Sequence, residues 1–215
     1  MVKLDILSDP ICPWCYIGKS NLDRALIDFP DHPFTMEWHP FQLNPDMPAA
    51  GMDRREYLEA KFGGKENTVA VYAKIEEAAK SAGLEINLAA ITKTPNTLNA
   101  HRLIHWAGIE QCQTFVVASL FKAYFCDGRD IGDVEILADI AGACGMDAAM
   151  TLHLLQGDAE RDDISKRDTH SREMGVTGVP TFIIANKHVV PGAQPPELWT
   201  QVIGEIADQI DPAGS

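Results

Sequence analysis

The chain has 215 residues, of which 46% are hydrophobic and 23% charged, a balance typical of a globular protein. This composition excludes a disordered chain, a collagen-like fibre and a coiled-coil rod, and the length favours one elaborated domain or two small ones. A formal net charge of −13 disfavours nucleic acid and anionic membrane surfaces as partners, because both are negatively charged themselves. We therefore expect neither partner.

The first seven residues are too few and too charged for a signal peptide, and no run of about 18 apolar residues occurs. A cytoplasmic protein is the resulting expectation. The five cysteines are an odd number, and a reducing compartment does not favour a structural disulfide framework.

The first 45 residues predict a strand–helix–strand unit. Residues 2–7 are rich in branched side chains and predict a strand, and from Pro13 to about Phe29 the apolar residues recur at helical spacing. Residues 34–39 then predict a second strand, closed by Pro40. Such a unit implies two parallel strands joined by a right-handed crossover.

A long block without strand character follows, and strand character returns only near the C-terminus. Seven segments have helical periodicity: 54–62, 66–82, 95–109, 111–126, 133–144, 147–155 and 158–174. Residues 180–185 and 188–191 predict a hairpin that turns at Asn186-Lys187, and Pro196 opens an amphipathic helix ending near Ile210. Residues 212–215 are expected to form a frayed tail.

This order predicts an α/β fold whose sheet is completed by two distant segments of the chain. The expected division is a discontinuous domain formed by residues 1–53 and 175–215, interrupted by an all-helical domain at 54–174.

Cys12-Pro13-Trp14-Cys15 lies between the end of the first strand and the start of the first helix. A helix N-terminus carries partial positive charge and free N–H groups, so it stabilises a thiolate there. Cys12 is then the exposed nucleophile and Cys15, one turn further on and shielded, the resolving thiol. Two other interpretations are half of a zinc site and a pair of buried hydrophobic residues. The remaining cysteines are widely spaced single residues, so we expect no metal site.

The Val179-Pro180 dipeptide precedes the hairpin. A proline at the start of a strand costs no ladder hydrogen bond, and a cis bond there would expose the backbone of Val179 to an extended substrate. A trans proline is the commoner state of an isolated X–Pro pair. In combination with the CxxC segment we expect the cis form, with Pro180 beside Cys12.

These features together resemble the thioredoxin fold of the DsbA type, with its helical insertion, and within it the FrnE-like branch. The resemblance extends over nearly the whole chain. The segments that carry it are SDPICPWCYIG at 8–18, WHPFQLNP at 38–45, PNT at 95–97 with AH at 100–101, GVPTF at 178–182 and GAQ at 192–194.

The resemblance implies a thiol–disulfide oxidoreductase without a bound cofactor, in which Cys12 attacks, Cys15 resolves and Pro180 is cis. Its partners are thiol or disulfide substrates, either proteins or small molecules. A related branch contains glutathione-dependent 2-hydroxychromene-2-carboxylate isomerases and kappa-class glutathione transferases, which typically carry Ser where Cys12 stands. A glutathione-using isomerase or transferase for an aromatic or polyketide compound is therefore an alternative, with glutathione as co-substrate. A chaperone-like binding module is another.

Further residues are candidates for substrate binding. Trp14 lies between the cysteines and is expected to form a platform for the substrate. The backbone of Val179 is expected to pair with an extended substrate held beside Cys12. Asn96 and His101 are expected to line the pocket from the inserted helices, with His101 close enough to Cys12 to favour its thiolate. The alternative for His101 is a structural histidine bonded to a neighbouring helix. His39, at the end of the second strand, is expected to be structural.

Overall fold

A computed structural model describes residues 1–210 of the chain. It opens with the predicted strand–helix–strand unit: β1 (Val2–Ser8), α1 (Pro13–Ile27) and β2 (Phe34–Pro40). The two strands are parallel, with Ile6 opposite Trp38 in the register. Both of these side chains are buried, so this face of the sheet contributes to the hydrophobic core.

The sheet is completed by a C-terminal hairpin of β5 (Thr181–Ile184) and β6 (His188–Pro191). Its strand order is β2-β1-β5-β6, and β5 is antiparallel to both of its neighbours. The hairpin turns at Ala185-Asn186, one residue earlier than predicted. Both residues are left-handed, with φ of 53° and 57°, as a type I′ turn requires. The final helix, α9 (Pro196–Ile210), packs on α1, and the predicted tail at 212–215 lies outside the described residues.

Helices occupy most of the chain between β2 and β5. They are α2 (Arg54–Phe62), α3 (Lys65–Ser81), α4 (Leu98–Ile109), α5 (Gln113–Phe125), α6 (Val134–Ala143), α7 (Ala148–Gln156) and α8 (Arg161–Glu173), with a 3-10 turn at Leu88–Ala90. The prediction that this segment is entirely helical was wrong in one detail. A two-residue strand, β4 (Lys93–Thr94), pairs with β3 (Met52–Asp53), apart from the main sheet.

Two of the predicted helices begin three residues late, for local reasons. At α4, the side chain of Asn96 accepts a hydrogen bond from the backbone N–H of Leu98, so the preceding Pro-Asn-Thr segment is a turn. At α8, Glu160 is left-handed with φ of 50°, which prevents a right-handed helix from extending through it.

Helices α4, α5 and α8 pack against β2, and side chains of α4 and α5 lie around a small cavity together with Ser8 at the end of β1. That end leads directly into the CxxC segment. Within the described residues, no helix has the length and apolar character that crossing a membrane requires.

Candidate active site

Cys12 and Cys15 lie at the N-terminus of α1, as the sequence predicts. Cys12 is the N-cap residue and Pro13 occupies the first helical position. The backbone N–H of Cys15 donates to the carbonyl of Cys12 at 3.1 Å, so the two cysteines share the first turn of the helix. Both are free thiols in this structure.

The segment before β5 brings a second group to Cys12. The Val179–Pro180 peptide bond is cis, as predicted. The Cys12 sulfur lies 3.7 Å from the carbonyl oxygen of Val179, to which the thiol donates. Pro180 also packs on α1, because a Cβ built on Gly18 would stand 3.1 Å from Pro180 Cγ. Residues 167 positions apart in the chain therefore form one site.

The exposure of the cysteines differs from the prediction in one respect. Cys15 is buried, as expected, but Cys12 is also only 3% exposed rather than open to solvent. The segment before β5 contributes to this cover, because the carbonyl oxygen of Val179 lies 3.7 Å from the Cys12 sulfur. Trp14, between the two, is 41% exposed, and its role as a substrate platform stays a prediction.

The Cys15 thiol is in an environment that disfavours its charged form. Burial raises its pKa well above the ordinary value, and the hydrogen bond and charge of Cys12 act in the same direction. The hydroxyl of Ser8 and the backbone N–H of Asp9 partly oppose this rise. Cys15 therefore needs help to lose its proton.

Asp9 is a buried carboxyl group that the sequence analysis missed. It is completely buried, and it accepts backbone hydrogen bonds from Leu43 at 2.7 Å and from Ile11 at 3.3 Å. Burial raises its pKa to about 7 against the effect of these bonds. Its only sequence signal is an acidic residue directly after a buried strand and before the CxxC segment, and a turn-forming Asp-Pro pair has the same appearance.

His101 lies next to Asp9, not in an open pocket. It is 3% exposed, and its Nε2 atom stands 3.9 Å from Asp9 Oδ1 without a hydrogen-bond partner. Burial, and secondarily the charge of Arg167, lowers its pKa to about 3. His101 is therefore neutral at physiological pH and supplies no positive charge to Cys12. That part of the prediction was wrong.

Asn96 serves a local role in this structure. Its amide nitrogen donates to the carbonyl of Met47 at 2.7 Å, and its oxygen accepts from Leu98 N–H at 2.9 Å. The side chain thereby ties two loops together.

His39 belongs to a polar network on the sheet. Its Nε2 lies 2.6 Å from Asp5, and its Nδ1 accepts from Arg167 at 3.2 Å. Asp5, Glu37 and His39 bring possible metal-ligating atoms within 4.8 Å of one another. Lys3 pairs with both carboxylates, at 2.8 and 2.9 Å, so the group is already neutralised by protein cations.

A profile of the DSBA-like thioredoxin domain matches residues 3–204, and the chain belongs to that family. It is thus a DsbA-family thiol–disulfide oxidoreductase, with an α/β thioredoxin-like fold carrying a helical insertion. The resemblance to the DsbA type seen in the sequence is confirmed.

Solved structures agree with this assignment. A probable DsbA oxidoreductase from Streptomyces coelicolor is 28% identical, with a TM-score of 0.85 over 97% of this chain and 91% of that one. A 2-hydroxychromene-2-carboxylate isomerase has a TM-score of 0.74 at 15% identity, over 99% of this chain and all of that one. The cytosolic disulfide reductase DsbM from Pseudomonas aeruginosa, solved with glutathione, has a TM-score of 0.68 at 17% identity, over 95% and 98% of the two chains. The last two show likeness of fold.

Proposed function

We propose that the protein exchanges or isomerises disulfides of a protein or small-molecule substrate, with Cys12 as nucleophile and Cys15 as resolving thiol. The observation that carries the proposal is the CxxC pair at the start of α1, with the Cys12 sulfur facing the carbonyl of Val179. An N-terminal helix position favours a thiolate, and a second thiol one turn away is placed to resolve a mixed disulfide.

The exchange proceeds in two displacements. The Cys12 thiolate attacks one sulfur of the substrate disulfide, forms a mixed disulfide and expels the other sulfur as a thiolate. Cys15 then loses its proton and attacks the Cys12 sulfur, so that the Cys12–Cys15 disulfide forms and the second substrate thiolate leaves. The substrate gains two electrons and the protein loses two; running backwards, the same steps oxidise a dithiol.

The substrate is expected to lie against Trp14 and the backbone of Val179. The exposed ring of Trp14 offers an apolar platform beside the thiols. When Cys12 loses its proton, it no longer donates to the Val179 carbonyl, which is then free to accept a backbone N–H from an extended substrate. Asn96 and His101 support this site from behind: Asn96 holds the adjoining loops, and His101 packs beside Asp9.

A glutathione-dependent isomerisation or transfer is the second candidate. It is favoured by the fold shared with the 2-hydroxychromene-2-carboxylate isomerase, and glutathione as co-substrate by the DsbM structure that contains it. Such a reaction needs one sulfur or hydroxyl group on the protein, whereas disulfide exchange to completion needs two.

Single-cysteine variants separate the two candidates. Wild type should reduce insulin or glutathione disulfide, and Cys12→Ser should abolish this activity. Cys15→Ser should stop at a mixed disulfide on Cys12 that mass spectrometry detects. Cys112→Ser is a matched control, because Cys112 is also a helix N-cap residue. Wild-type inactivity with every disulfide offered would contradict the proposal, and full activity of Cys15→Ser in an isomerase assay would favour the second candidate.

A further inference from the structure

An open cavity lies on the inserted segment, between α2, α3 and the 3-10 turn at Leu88–Ala90. Its volume is about 440 Å³, which is within the range of small-molecule sites. Its lining shares no residue with the site formed by Cys12, Cys15 and Pro180. Disulfide exchange therefore gives this cavity no role.

Arg54, the first residue of α2, is buried beside this cavity without a negatively charged partner. It is only 9% exposed, and no carboxylate among residues 1–210 forms an ion pair with it. Its guanidinium donates to neutral hydroxyls instead. Nε donates to Tyr72 at 3.0 Å, and Nη1 donates to Thr94 and Tyr124 at 3.2 and 3.3 Å. Because a buried charge normally has an opposite charge beside it, this environment is incomplete in electrostatic terms.

Tyrosine rings surround the guanidinium but supply no counter-charge. The ring centroids of Tyr57, Tyr72 and Tyr124 lie 5.9 to 6.0 Å from its central carbon, a distance at which the ring faces attract a cation. Burial raises the pKa of Tyr124 against the opposing charge of Arg54, so this phenol is neutral at physiological pH. The cage stabilises the guanidinium and leaves its charge in place.

Two hydrogen-bond donors on the cavity lining are free. Arg54 Nη2 forms no hydrogen bond within the described part of the chain, and it is not sealed from solvent. The hydroxyl of Tyr72 accepts from Arg54 Nε, while its own proton is donated to no group among residues 1–210. Both residues line the cavity. A carboxylate there would accept charge-assisted hydrogen bonds from the guanidinium and a further bond from the phenol.

The apolar part of the lining favours an anion with an apolar body. Leu58, Leu88 and Ile91 are buried and present hydrocarbon to the cavity, and Val69 lies at its mouth with 61% of its surface exposed. An inorganic anion would leave this surface unused, whereas an aliphatic or aromatic acid would cover it.

The carboxylates on the lining are already engaged. Asp53 accepts the backbone N–H groups at the start of α2, and Glu59 pairs with Arg55 at 2.8 Å. Lys65, at the rim, adds a further positive charge. The cavity is thus locally cationic in a chain whose formal net charge is −13.

We propose that this cavity binds a small organic acid, a monocarboxylate with an aliphatic or aromatic body. Its carboxylate accepts hydrogen bonds from Arg54 Nη2 and the Tyr72 hydroxyl, and its hydrocarbon packs on Leu58, Leu88 and Ile91. The acid provides the negative charge that Arg54 lacks. No bond is formed or broken in the ligand, and binding is independent of the disulfide chemistry.

Isothermal titration calorimetry of the reduced full-length protein tests the proposal. The probes are octanoate and 4-phenylbutyrate, each compared with the alcohol of the same carbon skeleton, 1-octanol and 4-phenyl-1-butanol. At least one acid should bind at a single saturable site. Its alcohol should bind at least about tenfold more weakly, because it carries no charge for the guanidinium.

Variants place the binding in this cavity. Tyr72→Phe removes one donor and keeps the ring, and it should weaken acid binding by about threefold to tenfold. Arg54→Met should abolish binding. Val69→Trp fills the mouth of the cavity while leaving Arg54 and Tyr72 intact, so it tests the site even where Arg54→Met does not fold. Lys74→Met and Ala73→Trp change exposed residues of α3 outside the lining and should bind the acid as the wild type does.

Three results would overturn the proposal. The first is equal binding of acid and alcohol, which indicates an apolar groove without an anion site. The second is the absence of saturable binding for both acids. The third is acid binding that Tyr72→Phe and Val69→Trp leave at wild-type strength. The reduction of insulin by the same preparations reports the Cys12–Cys15 chemistry separately, so failure of this inference and failure of the proposed function are distinguishable.

Discussion

Asp9 and His101 are buried ionisable groups whose titrations affect stability in opposite directions. Folded Asp9 keeps its proton up to about pH 7, whereas in an unfolded chain an aspartate loses it near about 3.9. Between these values the folded state binds the extra proton, so the contribution of Asp9 to the free energy of unfolding falls as pH rises. Folded His101 stays neutral down to about pH 3, whereas unfolded histidine is protonated below about 6.5, so its contribution rises with pH.

Single substitutions should reveal how the contribution of each group to the free energy of unfolding changes with pH. The wild-type free energy of unfolding minus that of Asp9→Asn should fall by about 1.4 kcal/mol per pH unit between about pH 4 and 7. The difference for His101→Gln should rise by about the same amount per unit between about pH 3 and 6.5. Urea melts across this range measure both, with the exposed Asp46→Asn as a control for the change of charge. Two differences that both rise with pH, or both fall, would contradict the account.

The local sequence was enough to predict the position of the Cys12–Cys15 pair at a helix N-terminus. It was not enough to predict that Asp9 is buried. CxxC after a strand and before a helix is a local pattern whose physical consequence follows from the helix N-terminus. The burial of Asp9 depends on Leu43, a residue of the loop after β2, and the environment of His101 depends on Asp9 in turn. Neither contact has a local signature, and the prediction of a thiolate-stabilising His101 was wrong for that reason.

At the level of elements, α1 and the loop before β5 approach each other at Gly18. A Cβ there would meet Pro180 Cγ at 3.1 Å, tighter than ordinary contact, whereas Gly204 in α9 has nothing within 4 Å of its Cβ position. Gly18→Ala should therefore disturb the Pro180 loop, while Gly204→Ala should only improve helix propensity.

The pair of variants gives a direct comparison. Gly204→Ala should raise the free energy of unfolding by up to about 1 kcal/mol. The free energy of unfolding of Gly18→Ala should be at least about 1 kcal/mol lower than that of Gly204→Ala because of overpacking. Gly18→Ala should also slow the reaction of Cys12 with a disulfide. Urea melts measure the stabilities. The rate at which Cys12 releases the first thiolate from an aromatic disulfide reagent measures its reaction. Equal stabilisation by both substitutions would show that α1 and the loop do not pack as described.

Arg102 joins α4 to the end of α7. Its guanidinium is fully buried and donates to the carbonyls of Leu154, Leu155, Gly157 and Ala159, at 2.6 to 3.2 Å. Leu154 and Leu155 lie in the last turn of α7, where carbonyls lack the usual partner within the helix, and Gly157 and Ala159 follow that turn. The buried arginine therefore supplies donors at this helix end.

Arg102→Met should lower the free energy of unfolding by about 3 kcal/mol, because buried carbonyls lose charged donors. Arg55→Met, which breaks an exposed pair with Glu59, should change it little. Denaturant melts compare the two variants. A loss for Arg102→Met no larger than that for Arg55→Met would contradict the role described.

Helix and strand positions were largely predictable, because apolar periodicity extends over whole elements. The errors fall where one backbone angle or one side-chain bond decides: the turn at Ala185-Asn186, the start of α4 and the start of α8. β4 is two residues long and carries no periodicity to detect.

For the molecule as a whole, the division into a domain of residues 1–53 and 175–215 and an inserted domain of 54–174 stays a prediction. The structure links the two parts closely. The backbone N–H of Gln42, just after β2, donates to Asp168 on α8 at 2.6 Å, while the next residue donates to Asp9. Two buried carboxylates from distant segments thus hold one loop beside the candidate site.

The central claim is that Cys12 and Cys15 form one reversible dithiol–disulfide couple. The most direct test equilibrates the protein in glutathione buffers of stepped redox potential and quenches it with an alkylating agent. The free thiols are then counted residue by residue by mass spectrometry. Cys12 and Cys15 should lose their thiols together in one two-electron transition, while Cys112, Cys126 and Cys144 do not follow it. A stable glutathione adduct on Cys12 with Cys15 still a thiol, or a pair that stays reduced at the most oxidising potential, would contradict the claim.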